Sequence, residues 1–318
     1  MSNTLERCSP EIVEEIVTYL SLQEICNLRL TNSVLASLAS QTTFKSYFVK
    51  KLVHCTWEGV DALRQATARD HVGRNVQDLT LVGIVVDTTR PKAEIEEGGT
   101  WVTELQGPMR LSVKHTYTSE ELERKKADLE MMSKRQSEYA DPAYDEVVDD
   151  SLAQAFRNIV VNSKSGELSR LSLQIVVHRD GANEVEEPLA GGGWDLICSA
   201  AAALFHRVLR ALADSQLKVK CFHVFTDQQR CSLPYTELAA MNLEDAGLKQ
   251  ALSTVDSFCL SLASALRPMT DSIGNADRET AEVSCFDKSA AENLATLLSY
   301  MPALQALELH WYLSLIHI

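Results

Sequence analysis

The stretch SPEIVEEIVTYLSLQEICNLRLTNSVLASLASQTTFKSYF, residues 9–48, predicts a series of short helices with more apolar surface than so small a unit can bury alone. Ser9 is a suitable N-cap, and Pro10 takes the first helical position, where its missing N–H costs nothing. Ser21 is expected to cap a second helix, because Glu24 completes a capping box, and a third helix follows Asn32. Apolar residues recur at helical spacing in four runs. These runs are Ile12, Val13, Ile16, Val17 and Leu20; Leu22, Ile25, Cys26 and Leu28; Val34, Leu35 and Leu38; and Phe44, Phe48 and Leu52.

This pattern resembles the F-box, the adaptor motif of SCF-type cullin–RING ubiquitin ligases, in the form found in filamentous fungi. A proline-led helix, EIVEEIVTYL at 11–20, leads to the segment LRLT at 28–31. The family usually has leucine before the proline, where this chain has Ser9, and the departure predicts weakened rather than abolished binding. The resemblance implies that ten residues contact the ligase's linker subunit. They are Pro10, Glu11, Ile12, Ile16, Leu20, Leu22, Ile25, Leu28, Val34 and Leu35.

The resemblance implies a substrate receptor, which catalyses nothing itself. Such a protein docks on the linker subunit, and through it on cullin, and holds a target protein with the rest of its chain. A second hypothesis is an F-box scaffold or regulatory protein that acts outside a ubiquitin ligase. The same periodicity also suits an ordinary helical subdomain packed on its own chain. Ubiquitylation of co-purified proteins would separate the first two hypotheses.

The composition of the chain favours a globular protein and excludes some classes of partner. It has 318 residues, of which 45% are hydrophobic and 23% charged, enough for one large domain or two ordinary ones. The formal net charge of −14 argues against sequence-independent nucleic-acid binding and against docking on anionic membranes, which both need clustered Lys and Arg. The first eight residues are polar and do not resemble a secretory signal.

The sequence carries no signature of an active site, a metal site or a cofactor. There is no P-loop, no nucleophile elbow and no histidine pair at metal-ligand spacing, so an enzyme is the least favoured hypothesis. The eight cysteines form no C-x-x-C pair, and most are predicted to be buried free thiols in a cytoplasmic or nuclear protein. They are Cys8, Cys26, Cys55, Cys198, Cys221, Cys231, Cys259 and Cys285.

An apolar-x-x-apolar-x-apolar core recurs five times after residue 75 and predicts strands. The cores begin at Val76, Leu168, Val219, Val255 and Leu304. Helical stretches separate the last four, and this alternation resembles leucine-rich repeats, although the intervals are uneven and longer than that family's period. The predicted architecture is a three-helix F-box at 1–54 followed by a degenerate leucine-rich-repeat-like solenoid at 55–318, in the α+β or α/β class. An irregular α/β domain is the alternative.

The helical segments of this second region are predicted from their apolar spacing. They are a mostly helical connector at 52–75, helices at 194–213 and 235–252, and a helix capped by Ser289. An insert at about 88–150 is expected to hold a charged helix at 120–135, because Thr118 and Glu121 form a capping box, and that helix has no apolar face. The acidic tract 141–150 is expected to be a mobile linker.

The strand cores also predict one shared face for target binding. Because side chains alternate along a strand, the outward residues would be Thr80, Ser172, His223, Cys259 and Glu308. Their neighbours are expected in the core, and these are Leu171, Leu173, Phe222, Phe258 and Leu307.

The last six residues, LSLIHI at 313–318, resemble the translation of a sequencing-library adapter. We therefore expect the natural chain to depart from this one near Leu313, which would leave a repeat array without its C-terminal cap. A genuine final strand through Ile316 and Ile318 is the alternative.

Overall fold

The chain is a mixed α/β protein built on a mainly parallel sheet. A computed structural model describes residues 4–68, 73–106, 109–163, 165–178, 188, 194–227, 231–241, 243–263 and 288–312. The strands in these ranges are β1 (Lys50–His54), β2 (Asp78–Val86), β3 (Gly99–Gln106), β4 (Met109–Thr116), β5 (Glu167–His178), β6 (Lys218–Val224), β7 (Leu233–Pro234), β8 (Ser257–Ala263) and β9 (Ala306–Tyr312). The helices are α1 (Pro10–Thr18), α2 (Leu22–Thr31), α3 (Ser33–Leu38), α4 (Thr42–Ser46), α5 (Trp57–Thr67), α6 (Thr89–Glu97), α7 (Ser119–Tyr139), α8 (Pro142–Asn162), α9 (Trp194–Ser215), α10 (Tyr235–Ala239), α11 (Ala246–Leu252) and α12 (Lys288–Ser299).

The strands of the large sheet lie side by side in the order in which the chain makes them. The path runs β1-β2-β5-β6-β8-β9, every neighbouring pair is parallel, and the short β7 lies against the end of β8. Right-handed crossovers between strands in this order put all the connecting helices on the same face. Accordingly α5 packs on α8, α8 on α9 and α9 on α11, as one row against the sheet.

The main core lies between this helix row and the sheet. Phe156 of α8 and Phe205 of α9 are fully buried there, together with Phe222 and Phe258 of neighbouring strands, whose ring centroids lie 5.8 Å apart. Helix α9 is also long and apolar enough, over Asp195–Ser215, to cross a membrane. Here it serves as a core helix, since its apolar residues contact β2 and β5.

The helical unit, α1–α4 with residues 10–46, has a small core of its own. Val13 and Val17 of α1 meet Ile25, Ala39 and Phe44 there. The predicted capping box of α2 is confirmed, because it is formed by Ser21 and Glu24, and the Asn32 side chain also caps α3 by accepting a hydrogen bond from the Leu35 N–H. Ser9 is the N-cap of α1, but its side chain makes no capping hydrogen bond.

The predicted fourth helix and connector are wrong at residues 47–54. Helix α4 ends at Ser46, and Leu52 belongs to β1 rather than to a helix. Strand forms here because the β1 backbone pairs with β2, from Lys50 opposite Asp78 to His54 opposite Val82. The sheet therefore begins at Lys50, before the expected boundary after residue 54.

The insert is more ordered than its composition predicts. Helix α7 and its Thr118–Glu121 capping box are confirmed, but the helix does have a buried side chain, because Met132 packs inward. The expected linker at 141–150 is wrong, since Asp141 caps α8 and Val148 is fully buried. The antiparallel hairpin β3–β4 was not predicted.

Three further expectations need correction in the C-terminal half. The helix predicted at 235–252 is two helices, α10 and α11, and α12 begins at Lys288, one residue before its predicted cap. Leu307 is 46% exposed instead of lying in the core. The reason is that no helix among the described residues covers β9 as the helix row covers its neighbours. Residues 313–318 and Cys285 lie outside the described residues.

Candidate protein-binding surfaces

The register of the sheet brings the five predicted face residues into one row. Thr80 is opposite Ser172, Ser172 opposite His223, His223 opposite Cys259, and Cys259 opposite Glu308. The row crosses β2, β5, β6, β8 and β9 on the sheet surface away from the helices, which we call the outer face. Whether this face binds a target stays a prediction.

A polar network centred on Arg170 organises the middle of the outer face. Its guanidinium Nη2 donates to both carboxylate oxygens of Asp227 at 2.9 Å and lies 3.0 Å from Nδ1 of His223. Its Nε donates to Ser172 Oγ at 3.1 Å. Arg170 thus connects β5 to β6 and to the turn that follows β6, and it places a positive charge on the outer face.

The backbone after β6 places Asp227 in this network. Phe225 has a left-handed conformation, with φ 59°, that is unusual for a bulky residue. Its side chain is fully buried and its N–H donates to the Leu173 carbonyl at 3.2 Å. Core burial of Phe225 therefore holds the turn that returns the chain over the outer face.

A second group lies at the β8–β9 end of the row. His310 Nε2 is 2.5 Å from Glu308 Oε1, and the Cys259 thiol donates to Glu308 Oε2 at 3.7 Å. The hydrogen bond from His310 lowers the pKa of the Glu308 carboxyl, so it is ionised over a wider pH range. Burial, together with Glu308 and Asp227 nearby, raises the pKa of Cys259, which remains a neutral thiol rather than a nucleophile.

Two of the predicted face residues are too buried to contact a target. Ser172 and Cys259 are 2% and 7% exposed to solvent, because the longer side chains beside them cover these small side chains. Arg170, Asp227 and Glu308 are the accessible charges instead. Arg170 and Asp227 were missed in the sequence, since only the strand register shows that residues so far apart meet.

The helical unit presents a different, apolar surface. Ile12 on α1 is 54% exposed and Val34 on α3 is 48% exposed. Pro10 and Glu11 are exposed, and four of the predicted contact residues are half-buried: Ile16, Leu20, Leu22 and Leu28. Ile25 and Leu35 are buried inside the unit, so the direct contact predicted for them is wrong, and they hold the helices together instead.

Specific polar contacts fix the helices of this unit. Glu14 Oε1 accepts hydrogen bonds from the N–H and the hydroxyl of Thr43, at 2.6 and 2.8 Å, joining α1 to α4. The Arg29 guanidinium lies 3.8 Å from the centroid of the Phe44 ring, joining α2 to α4. The unit is thus held together without burying Ile12 or Val34.

The described residues contain no group of three His, Cys, Asp or Glu side chains arranged to hold a metal ion. Burial raises the pKa of the Cys55 thiol to about 12, and it raises the pKa of Cys231 well above its ordinary value. A groove of about 480 Å³ runs along β1 and α5, lined by residues that include Lys51, Leu63 and Ala66. Its lining is mostly apolar and offers no paired acid and base.

No family model matches this chain. No curated protein and no solved structure matches it either. The function is therefore inferred from the outer face of the sheet and from the apolar surface of the helical unit.

Proposed function

We propose that this chain is a substrate receptor of an SCF-type ubiquitin ligase. In this role the helical unit docks on the linker subunit, and the outer face of the sheet holds a target protein. The observation that carries the proposal is the exposed apolar surface of the helical unit, with Ile12 and Val34 about half in water. Apolar side chains on so small a unit gain free energy when a partner covers them.

The arrangement of α1 supports this division of roles. Val13 and Val17 lie one turn apart and are fully buried, which fixes the helix on its own unit. Ile12 and Ile16 form the adjacent row at the same spacing, and this row is only partly covered. The Val13–Val17 row packs inside the helical unit, and the Ile12–Ile16 row is available to a partner helix.

The target-binding role rests on the outer face. Arg170, Asp227, Glu308 and His310 display charges of both signs at fixed positions, and protein partners are selected by complementary patterns of this kind. The neutral, partly shielded Cys259 gives this surface no catalytic nucleophile. Binding is therefore the activity that the chemistry of this face fits.

The linker-binding prediction is tested by replacing Ile12 with aspartate. A charge in an apolar contact is poorly solvated, and we expect affinity for the linker subunit to fall by about tenfold or more. The measurement is the dissociation constant of the purified linker subunit for the full chain. The matched control is Val161→Asp on α8, which changes a side chain that is 79% exposed on a helix outside the helical unit.

Unchanged binding in Ile12→Asp, or equal losses in both variants, would refute docking through α1. A second readout separates the ligase from a scaffold. Cullin should co-purify with the wild-type chain, and its bound proteins should carry ubiquitin. Linker binding without cullin or ubiquitylated proteins would favour the scaffold hypothesis.

A further inference from the structure

Ser9 is the residue at which the helical unit departs from the pattern that it resembles, and it is followed directly by Pro10. The sequence contains eight prolines, and Pro10 is the one that follows a serine or threonine. The residues before the other prolines are Arg90, Gly107, Asp141, Glu187, Leu233, Arg267 and Met301. The chain therefore offers a single Ser-Pro or Thr-Pro dipeptide, which is the sequence that proline-directed protein kinases recognise.

The backbone and the surroundings of Ser9 suit such an enzyme. Ser9 has an extended backbone, with φ −64° and ψ 153°, because a following proline disfavours the helical conformation. This is the conformation in which protein kinases bind the accepting serine. Arg7, Ser9, Pro10 and Glu11 are exposed, and the Ile12 side chain is 54% exposed, so the dipeptide lies at the surface.

The Ser9 hydroxyl is not needed to hold α1. The Ile12 and Val13 N–H groups donate to the Ser9 carbonyl at 3.1 and 3.2 Å, and the Ser9 side chain makes no capping hydrogen bond. Ser21, the N-cap of α2, differs, because its hydroxyl accepts a hydrogen bond from the Glu24 N–H and a leucine follows it. Ser9 is thus the cap serine that combines a proline with a hydroxyl outside the capping hydrogen bonds.

We infer that Ser9 is a phosphorylation site of a proline-directed protein kinase, and that its phosphate weakens docking of the helical unit on the linker subunit. The phosphoryl donor is ATP. A bond forms between Ser9 Oγ and the γ-phosphorus, the bond from that phosphorus to the β–γ bridging oxygen breaks, and ADP leaves. The hydroxyl proton passes to the catalytic aspartate of the kinase. The site is inferred from the sequence and the surface position of Ser9, whereas the effect on docking rests on the proposed function.

The charge beside Ser9 explains why a phosphate opposes docking. A hydrogen bond from its own backbone N–H and one from the Ser9 hydroxyl lower the pKa of the Glu11 carboxyl, so Glu11 is an anion next to Ser9. Phosphorylation adds a charge of about −1.5 to −2 at neutral pH beside this carboxylate, and one turn away from the exposed Ile12. A partner that covers Ile12 must then approach and desolvate both anions, which costs free energy.

The first measurement is the intact mass of the full chain after incubation with a purified proline-directed kinase and Mg²⁺–ATP. The wild type should take up a single phosphate, and fragmentation should place it on Ser9. Ser9→Ala, which removes the acceptor, and Pro10→Ala, which removes the recognition residue, should each take up none. A wild type without phosphate on Ser9, or equal uptake by Pro10→Ala, would overturn the assignment of the site.

The second measurement is the dissociation constant of the linker subunit for the chain before and after this treatment. The phosphorylated wild type should bind about tenfold more weakly than the untreated chain, and removal of the phosphate with a phosphatase should restore binding. Kinase-treated Ser9→Ala should bind as well as the same variant without treatment, which controls for the treatment itself. Equal binding with and without the phosphate would overturn the effect on docking. An untreated chain that binds no linker subunit would instead refute the proposed function, while phosphate on Ser9 would still confirm the site.

Discussion

Replacing Phe222 with alanine should lower the free energy of unfolding by about 3–5 kcal/mol. The Phe222 ring is fully buried in the centre of the sheet and lies 5.8 Å from the Phe258 ring. The substitution removes the aromatic contact and leaves a cavity that neighbouring strands, fixed by their backbone pairing, cannot fill. The measurement is the shift of the urea unfolding midpoint, combined with the slope of the transition.

Leu307→Ala is the matched control for this experiment. Phe222, Phe258 and Leu307 lie at equivalent register positions on β6, β8 and β9. Because Leu307 is half exposed, its truncation should cost about 1 kcal/mol. Similar losses at the two positions would contradict the assignment of Phe222 to the core and Leu307 to an uncovered edge.

Replacing Arg207 with alanine should destabilise the fold by about 2–4 kcal/mol. Arg207 is 11% exposed on α9, and its guanidinium makes short ion pairs with Asp145 and Asp149 of α8. Removing it leaves Asp149, whose side chain is 28% exposed at the contact between the two helices, with the exposed Arg210 as its remaining ion-pair partner among the described residues. The estimate is below that for a fully buried pair, because Asp145 is still partly in water.

The control for Arg207 is on the same helix and binds the same carboxylate. Arg210 donates to Asp149 Oδ2 at 2.7 Å, but its side chain is 66% exposed. Arg210→Ala should therefore change the free energy of unfolding by less than about 1 kcal/mol. If Arg210→Ala were as damaging as Arg207→Ala, burial would not be the source of the effect. Thermal or urea unfolding of both variants in the same buffer gives the comparison.

Local signals in the sequence predicted local structure well. The Ser21–Glu24 and Thr118–Glu121 capping boxes are confirmed, because each depends only on residues within one helical turn. The row from Thr80 to Glu308 was also predicted, since the alternation along each strand and the common spacing of the cores fix which residues share a face. The class of the fold followed from the strand and helix pattern.

One failure overlooked a local apolar stripe, and the others occurred where distant residues decide the structure. The tract 141–150 was misread because its acidic residues dominate the composition, whereas Val148 belongs to a stripe that continues through Leu152 and Phe156. The short, lysine-rich β1 is a strand only because β2 pairs with it. The Arg170–Asp227 contact joins residues 57 positions apart, which no spacing rule in the sequence connects.

The agreement between strand order and chain order has a consequence for how this protein comes apart. Among the described residues, each long strand of the large sheet is bonded to its neighbours on the path β1-β2-β5-β6-β8-β9, with the two-residue β7 as an addition at β8, so the cooperative free energy is passed along a line rather than shared by the whole sheet. Within the part of the chain that the structure describes, β1 and β9 each pair with one strand, and hydrogen exchange should open them before β5 and β6. β1, one of the two ends that fray first, directly follows the helical unit that we propose to dock on the linker subunit. Binding of the linker subunit to that unit would therefore also slow the opening of β1, which couples assembly to the lifetime of the folded chain.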